Sequence, residues 1–105
     1  MENLPRRAAR SNKEVAELFA QGIAAKHDNL RSEWENGRLV AYSYKTRVAI
    51  RFEATADNST IVYVTRNKYS TTTSKHCGML AAQAAYRGCY VGSVPDLHAA
   101  VPLLM

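Results

Sequence analysis

Tyr69-Ser70-Thr71-Thr72-Thr73-Ser74-Lys75-His76 is the stretch at which a strand pattern gives way to an alanine-rich helix pattern. The first turn of a helix leaves amides without intrahelical acceptors and carries the positive end of the helix dipole, so hydroxyl side chains there act as caps. One hydroxyl suffices for that. Five in a row, followed by a cation and an imidazole, also suit an anion surrounded by donors, the chemistry of phosphate binding at a helix start. The glycines of a Walker-type loop are missing, so there is no nucleotide-hydrolysis motif. On this reading Ser70 and Thr71 belong to the strand exit, Thr72 or Thr73 caps the helix, and Ser74, Lys75 and His76 stay free for a partner.

Downstream, the pattern predicts a helix over 73–87, with Leu80, Ala81, Ala84 and Ala85 on its packed face and Lys75, Met79, Gln83 and Arg87 in a row opposite. Gly88 suits the left-handed position that ends it. The remainder, Cys89 to Met105, is apolar and broken by Pro95 and Pro102. Its Val101, Leu103, Leu104 and Met105 either fold back over the core or form a subunit contact, which allows a homodimer through this tail.

Upstream lie three strand patterns, over 39–43, 47–53 and 60–66, and a shorter one over 32–35 joined to the first by Asn36-Gly37, the strongest short hairpin signal. Trp34 reads as a core or cross-strand residue of that hairpin. Alternation in the second strand points Val48, Ile50 and Phe52 one way and Arg47, Ala49, Arg51 and Glu53 the other, so Arg47 and Arg51 share a wet face with Lys45. Further upstream, Ser11 and Glu14 form a capping box for a helix over 11–26, whose apolar face is Val15, Leu18, Phe19, Gly22 and Ile23. Gly22 costs that helix about 1 kcal/mol against alanine, which implies close approach of a neighbouring backbone. Residues 1–10, with Arg6, Arg7 and Arg10 beside Pro5, read as a flexible basic arm. The expected fold is therefore α+β: a helix, a three- or four-stranded antiparallel sheet, a second helix and a short apolar C-terminal tail. Residues 11–105 form one domain, with both helices on one face of the sheet.

The 105-residue chain carries a formal charge of +5, and no carboxylate occurs between Asp57 and Asp96. Arg66, Lys68, Lys75 and Arg87 fall in that interval, so its surface should attract an acidic partner or a phosphate backbone. No apolar run approaches the roughly 18 residues of a membrane span, and the first ten residues lack the apolar core of a signal peptide, so a cytoplasmic setting is expected. Cys77 and Cys89 have no metal-ligand spacing and read as free thiols. His76 and Cys77, adjacent on a helix, point about 100° apart and form no dyad. His27, His76 and His98 lie in separate segments, and Glu33, Glu35 and Glu53 show no catalytic spacing. No enzyme, metal or cofactor is expected.

The residues Gly37-Arg38-Leu39, Ser43-Tyr44, Thr46 and Val48-Ala49, then Tyr69-Ser70 and Thr72-Thr73-Ser74-Lys75-His76, resemble a signature of small tailed-phage proteins of no established role. In that signature SY-x-T-x-I-A precedes YS-x-TTSKH. The likeness covers residues 34–87, with Val48 in place of the isoleucine. It implies a phage-encoded accessory protein that binds and inhibits a host defence machine such as a CRISPR effector complex, its partner an acidic host protein or nucleoprotein. The order helix, antiparallel strands, helix, and the run Thr73-Ser74-Lys75-His76 before Ala81-Ala82 and Ala84-Ala85, are also similar to the double-stranded RNA-binding domain. That domain has consecutive lysines where this chain has Lys75 alone. The likeness implies RNA or DNA as an alternative partner. The residues expected to contact a partner or a phosphate, read from the hydroxyl run and the distribution of cations, are Ser70, Thr72, Thr73, Ser74, Lys75, His76, Arg66, Lys68, Arg47, Arg51 and Arg87.

Overall fold

The computed structural model describes residues 7–54, 59–66, 70–95 and 97. Its first helix, α1 (Asn12–Ala20), opens as the sequence predicts: the Ser11 hydroxyl accepts from the Glu14 amide at 3.1 Å, while the Glu14 carboxylate accepts from the Arg10 amide at 2.7 Å. It closes earlier than predicted. Gly22, at φ +82°, takes the left-handed position after the last turn, with its amide bonded to the Phe19 carbonyl and the Ile23 amide to the Leu18 carbonyl. These two bonds satisfy carbonyls that the helix end leaves open, and glycine reaches that conformation without the side-chain clash other residues suffer. The second helix, α2 (Thr71–Tyr86), ends in the same pair of bonds, Gly88 to Ala85 and Cys89 to Ala84.

Freed from α1, Ala25–His27 becomes a strand, β2, which pairs in parallel with β1 (Arg7–Ala8). Arg7 and Ala8, expected in a flexible arm, thus form a sheet edge. The sheet continues through β3 (Leu30–Glu35), β4 (Arg38–Ser43), β5 (Thr46–Glu53) and β6 (Thr60–Thr65) as an antiparallel meander. It closes with β7 (Tyr90–Val94), parallel to β6. The expectation of a three- or four-stranded antiparallel sheet is therefore overturned: the domain is α+β, but its sheet is mixed and has seven strands, in sequential order, among the described residues. The likeness in element order to the double-stranded RNA-binding domain falls with it. Sequence reading missed β1, β2 and β7 because each is short, two to five residues long, with no clean alternation to mark it.

Each parallel pair is joined through a helix, and β1 and β6 run in the same direction across the same sheet order. Two crossovers of one hand then place both helices on one face. There α1 and α2 pack on each other and on the sheet. The main core lies between, around Phe19, Leu30, Leu39, Val48, Val62 and Leu80, with Trp34 packed against it. A smaller cluster, Val40, Ile50 and Leu97, sits on the opposite face. The tail residues Val101, Leu103, Leu104 and Met105, expected to fold back or dimerise, lie outside the described residues.

A bulge changes the reading of β5. Ala41 faces Ala49 but Tyr42 faces Arg47, so Val48 is an extra residue, and both Val48 and Ala49 point into the main core. Arg47 and Arg51 consequently lie on opposite faces. Arg47 sits beside Tyr42 on the open face, whereas Arg51 reaches the end of α1, its Nε donating to the Ala20 carbonyl at 3.3 Å. The Arg51 guanidinium fills the space where a side chain on Gly22 would start, its Nη1 lying 2.8 Å from that point. Gly22→Ala therefore meets both a left-handed backbone penalty of about 1–2 kcal/mol and the displacement of Arg51. A lowered denaturant midpoint with an unchanged slope is the expected result.

Candidate functional site

Alternation along β4 turns Leu39, Ala41 and Ser43 toward the helices, which brings a hydroxyl to a position where the pattern demands an apolar group. Ser43 is fully buried. A buried hydroxyl needs partners, and α2 supplies two from its inner face, Thr73 and His76, one turn apart. Ser43 Oγ lies 2.7 Å from His76 Nδ1 and 3.0 Å from Thr73 Oγ1. On its other side the His76 ring meets Asn12, whose Nδ2 is 3.2 Å from Nε2, and Asn12 Oδ1 lies 3.0 Å from His27 Nδ1. One chain of hydrogen bonds thus joins the first residue of α1, the end of β2, the end of β4 and the start of α2.

The proton positions follow from the Asn12 amide. Its Nδ2 can only donate, so His76 Nε2 accepts and the ring proton sits on Nδ1, directed at Ser43; its Oδ1 can only accept, so His27 Nδ1 carries a proton. In the remaining bond, between the Ser43 and Thr73 hydroxyls, either oxygen can donate. This arrangement requires a neutral His76. The residue is 2 % exposed, and burial holds its pKa below the ordinary value, an effect that the more distant charge of Asp28 only partly opposes. Among the described residues no buried side-chain nitrogen or oxygen lacks a partner.

A serine bonded to a histidine that is bonded to an asparagine has the elements of a nucleophile, a base and an orienting group. Here Ser43 is fully enclosed, so no substrate can reach its oxygen. The chain of bonds joins elements of the fold. Burial also pushes the Cys77 thiol up, which keeps it a poor nucleophile at neutral pH. Cys77 and Cys89 are both free. Among the described residues no group of histidine, cysteine and carboxylate side chains could hold a metal. None of the helices there is long and apolar enough to cross a membrane.

The predicted contact residues are divided by the fold. His76 and Thr73, expected near the surface, are inside, because they fall on the face of α2 that packs on β4 and α1. Ser70, assigned to the strand exit, is the cap, its hydroxyl accepting from the Thr73 amide at 3.1 Å, so the helix starts at Thr71 rather than 73. Thr71, Thr72, Ser74 and Lys75 are exposed together on the outer side of the first turn, and Arg66 is exposed just past the end of β6. Arg87 is exposed at the far end of α2, about 18 Å from Lys75 at the helical rise per residue, so it belongs to a separate patch. Lys68 lies outside the described residues.

Arg47 is engaged elsewhere. It pairs with Glu35 at 3.0 Å and lies against Tyr42, whose hydroxyl donates to the same carboxylate. Burial and the Glu35 hydrogen bond raise the Tyr42 pKa, so its phenol stays protonated as that donor. Arg31 stacks on the Tyr42 ring at 4.3 Å and pairs with Glu33 at 2.6 Å. The open face here is thus a lattice of paired charges. Sequence reasoning missed Asn12, His27 and Ser43. The available signal was a serine at a core position of an otherwise apolar strand face.

Fold and site together define a small α+β domain with helices on one side of a mixed sheet and its reactive side chains bonded to one another inside. The chain belongs to the family described as Family of unknown function (DUF8033), which it matches over residues 12–90. That span begins at Asn12 and contains every member of the buried chain. Compared with the curated proteins and with the solved structures, the sequence matches none.

Ser43→Ala leaves His76 Nδ1 and Thr73 without their partner and should cost about 1–3 kcal/mol, read from denaturant unfolding. The depressed pKa of His76 sets the pH response. Below about pH 6.5 the unfolded chain takes up a proton that the folded His76 resists, so the contribution of His76 to stability is fullest above that pH and falls as the medium is acidified. The gap in melting temperature between the wild-type protein and His76→Gln should narrow from pH 7 to pH 5.

Proposed function

We propose that this protein acts by binding, without catalysis of its own, through the outer side of the α2 start. Thr71, Thr72, Ser74 and Lys75 form the contact, with Arg66, exposed just past the end of β6, as a second cation. The observation that carries this reading is the division of the hydroxyl-rich stretch: its inner residues are spent on the fold, while its outer residues leave donors and a cation exposed at the positive end of a helix with no acidic residue in its first turn. Such a surface suits an acidic macromolecule. The resemblance to tailed-phage proteins supports a host defence complex as that partner, held in the host cytoplasm and blocked by occupancy. Affinity capture from host cells should recover a nucleoprotein complex with the wild-type protein. Lys75→Glu combined with Arg66→Glu should lose it and restore interference in cells, with the melting temperature unchanged.

The same exposed donors support a second reading, direct contact with the phosphates of RNA or DNA. Two cations give a slope of about −2 in log K against log salt on a duplex, and the charge-reversed pair should abolish it. Capture of the host complex that persists after nuclease treatment and at raised salt favours a protein partner. Binding to bare duplex with that slope favours nucleic acid.

A further inference from the structure

β7 ends the sheet, and its outer amides and carbonyls have no strand partner among the described residues. Edge strands are normally guarded by charge, proline or brevity, because a bare edge is a template for another strand. The opposite edge, β1, is guarded in this way: it is two residues long and includes Arg7. β7 is not. Its five residues, Tyr90-Val91-Gly92-Ser93-Val94, carry no charge and no proline, and Tyr90 and Val91 are 66 % and 39 % exposed. The chain also turns away from this edge. Leu97, three residues beyond Val94, packs on Val40 and Ile50 of β4 and β5, toward the middle of the sheet.

We propose that β7 is the seam of a homodimer, in which two copies pair their β7 strands antiparallel about a two-fold axis at Gly92. The strand is self-complementary in that register. Tyr90 stands against the partner's Val94 on the open face, and Val91 against the partner's Ser93 on the helical face, with no charge to desolvate. Gly92 suits the centre because the Tyr63 ring lies over it, within 2.9 Å of where a side chain would begin, so an aromatic from the neighbouring strand covers the backbone there. The two short, uncharged strands make a closed pair. A head-to-tail filament would need β7 to pair with the charged, two-residue β1 edge.

A seam of this size belongs to the weak, concentration-dependent class of contacts, so association is to be followed from about 5 µM to 1 mM. Sedimentation of the full chain should show a monomer–dimer equilibrium across that range. Val91→Lys, on an exposed residue that keeps the monomer folded by circular dichroism, should weaken it at least tenfold, and Val91→Thr should not. Amide exchange of the unmodified protein provides a measurement independent of variants: the β7 amides should gain protection as concentration rises. A monomer at all concentrations overturns the proposal. So does a dimer that Val91→Lys leaves equally tight, or one whose β7 amides exchange at a rate independent of concentration.

Discussion

The hydrogen bond between Ser43 and His76, 2.7 Å long and buried at both ends, ties the middle of the sheet to the helix above it. A hydroxyl and an imidazole taken out of water lose their solvent partners, and each then stays inside only in the geometry that supplies a replacement. Apolar contacts between α2 and the sheet would tolerate a small slide of the helix; this bond does not. Asn12 extends the constraint to α1, and His27 extends it to β2. The two helices are positioned relative to each other by one string of directional contacts as well as by packing around Phe19 and Leu80.

That constraint also orients the surface. With Thr73 and His76 turned inward, helical geometry turns Thr72, Ser74 and Lys75 outward. One short motif thus serves two ends: residues one turn apart anchor the helix, and those between them face the solvent. Both halves of the signature that resembles small tailed-phage proteins contribute to the anchor, Ser43 from one and Thr73 with His76 from the other. Residues that look adjacent in sequence for the sake of a ligand are in large part adjacent for the sake of the fold.

The remaining charges illustrate how topology reassigns a surface. The bulge at Val48 sends Arg47 and Arg51 to different faces, where one neutralises Glu35 and the other covers the end of α1. Neither adds to a common positive field. No carboxylate lies on α2, so Lys75 gains weight accordingly, although the Asp28 charge acts on His76 from the turn between β2 and β3.

Much of this was legible without coordinates. The Ser11 cap, the Asn36-Gly37 hairpin, the four central strands, the alanine-rich second helix and its end at Gly88 all follow from local rules, because each depends on neighbours a few residues away. Tertiary structure was required for the rest. Gly22 looks the same in sequence whether it lies inside a helix or ends one, and the contest is settled by Arg51 and by β2 pairing with β1. The parallel edges depend on pairing between residues far apart in the chain. Whether His76 faces a partner or Ser43 depends on a contact spanning more than thirty residues, a distance over which no periodicity carries information.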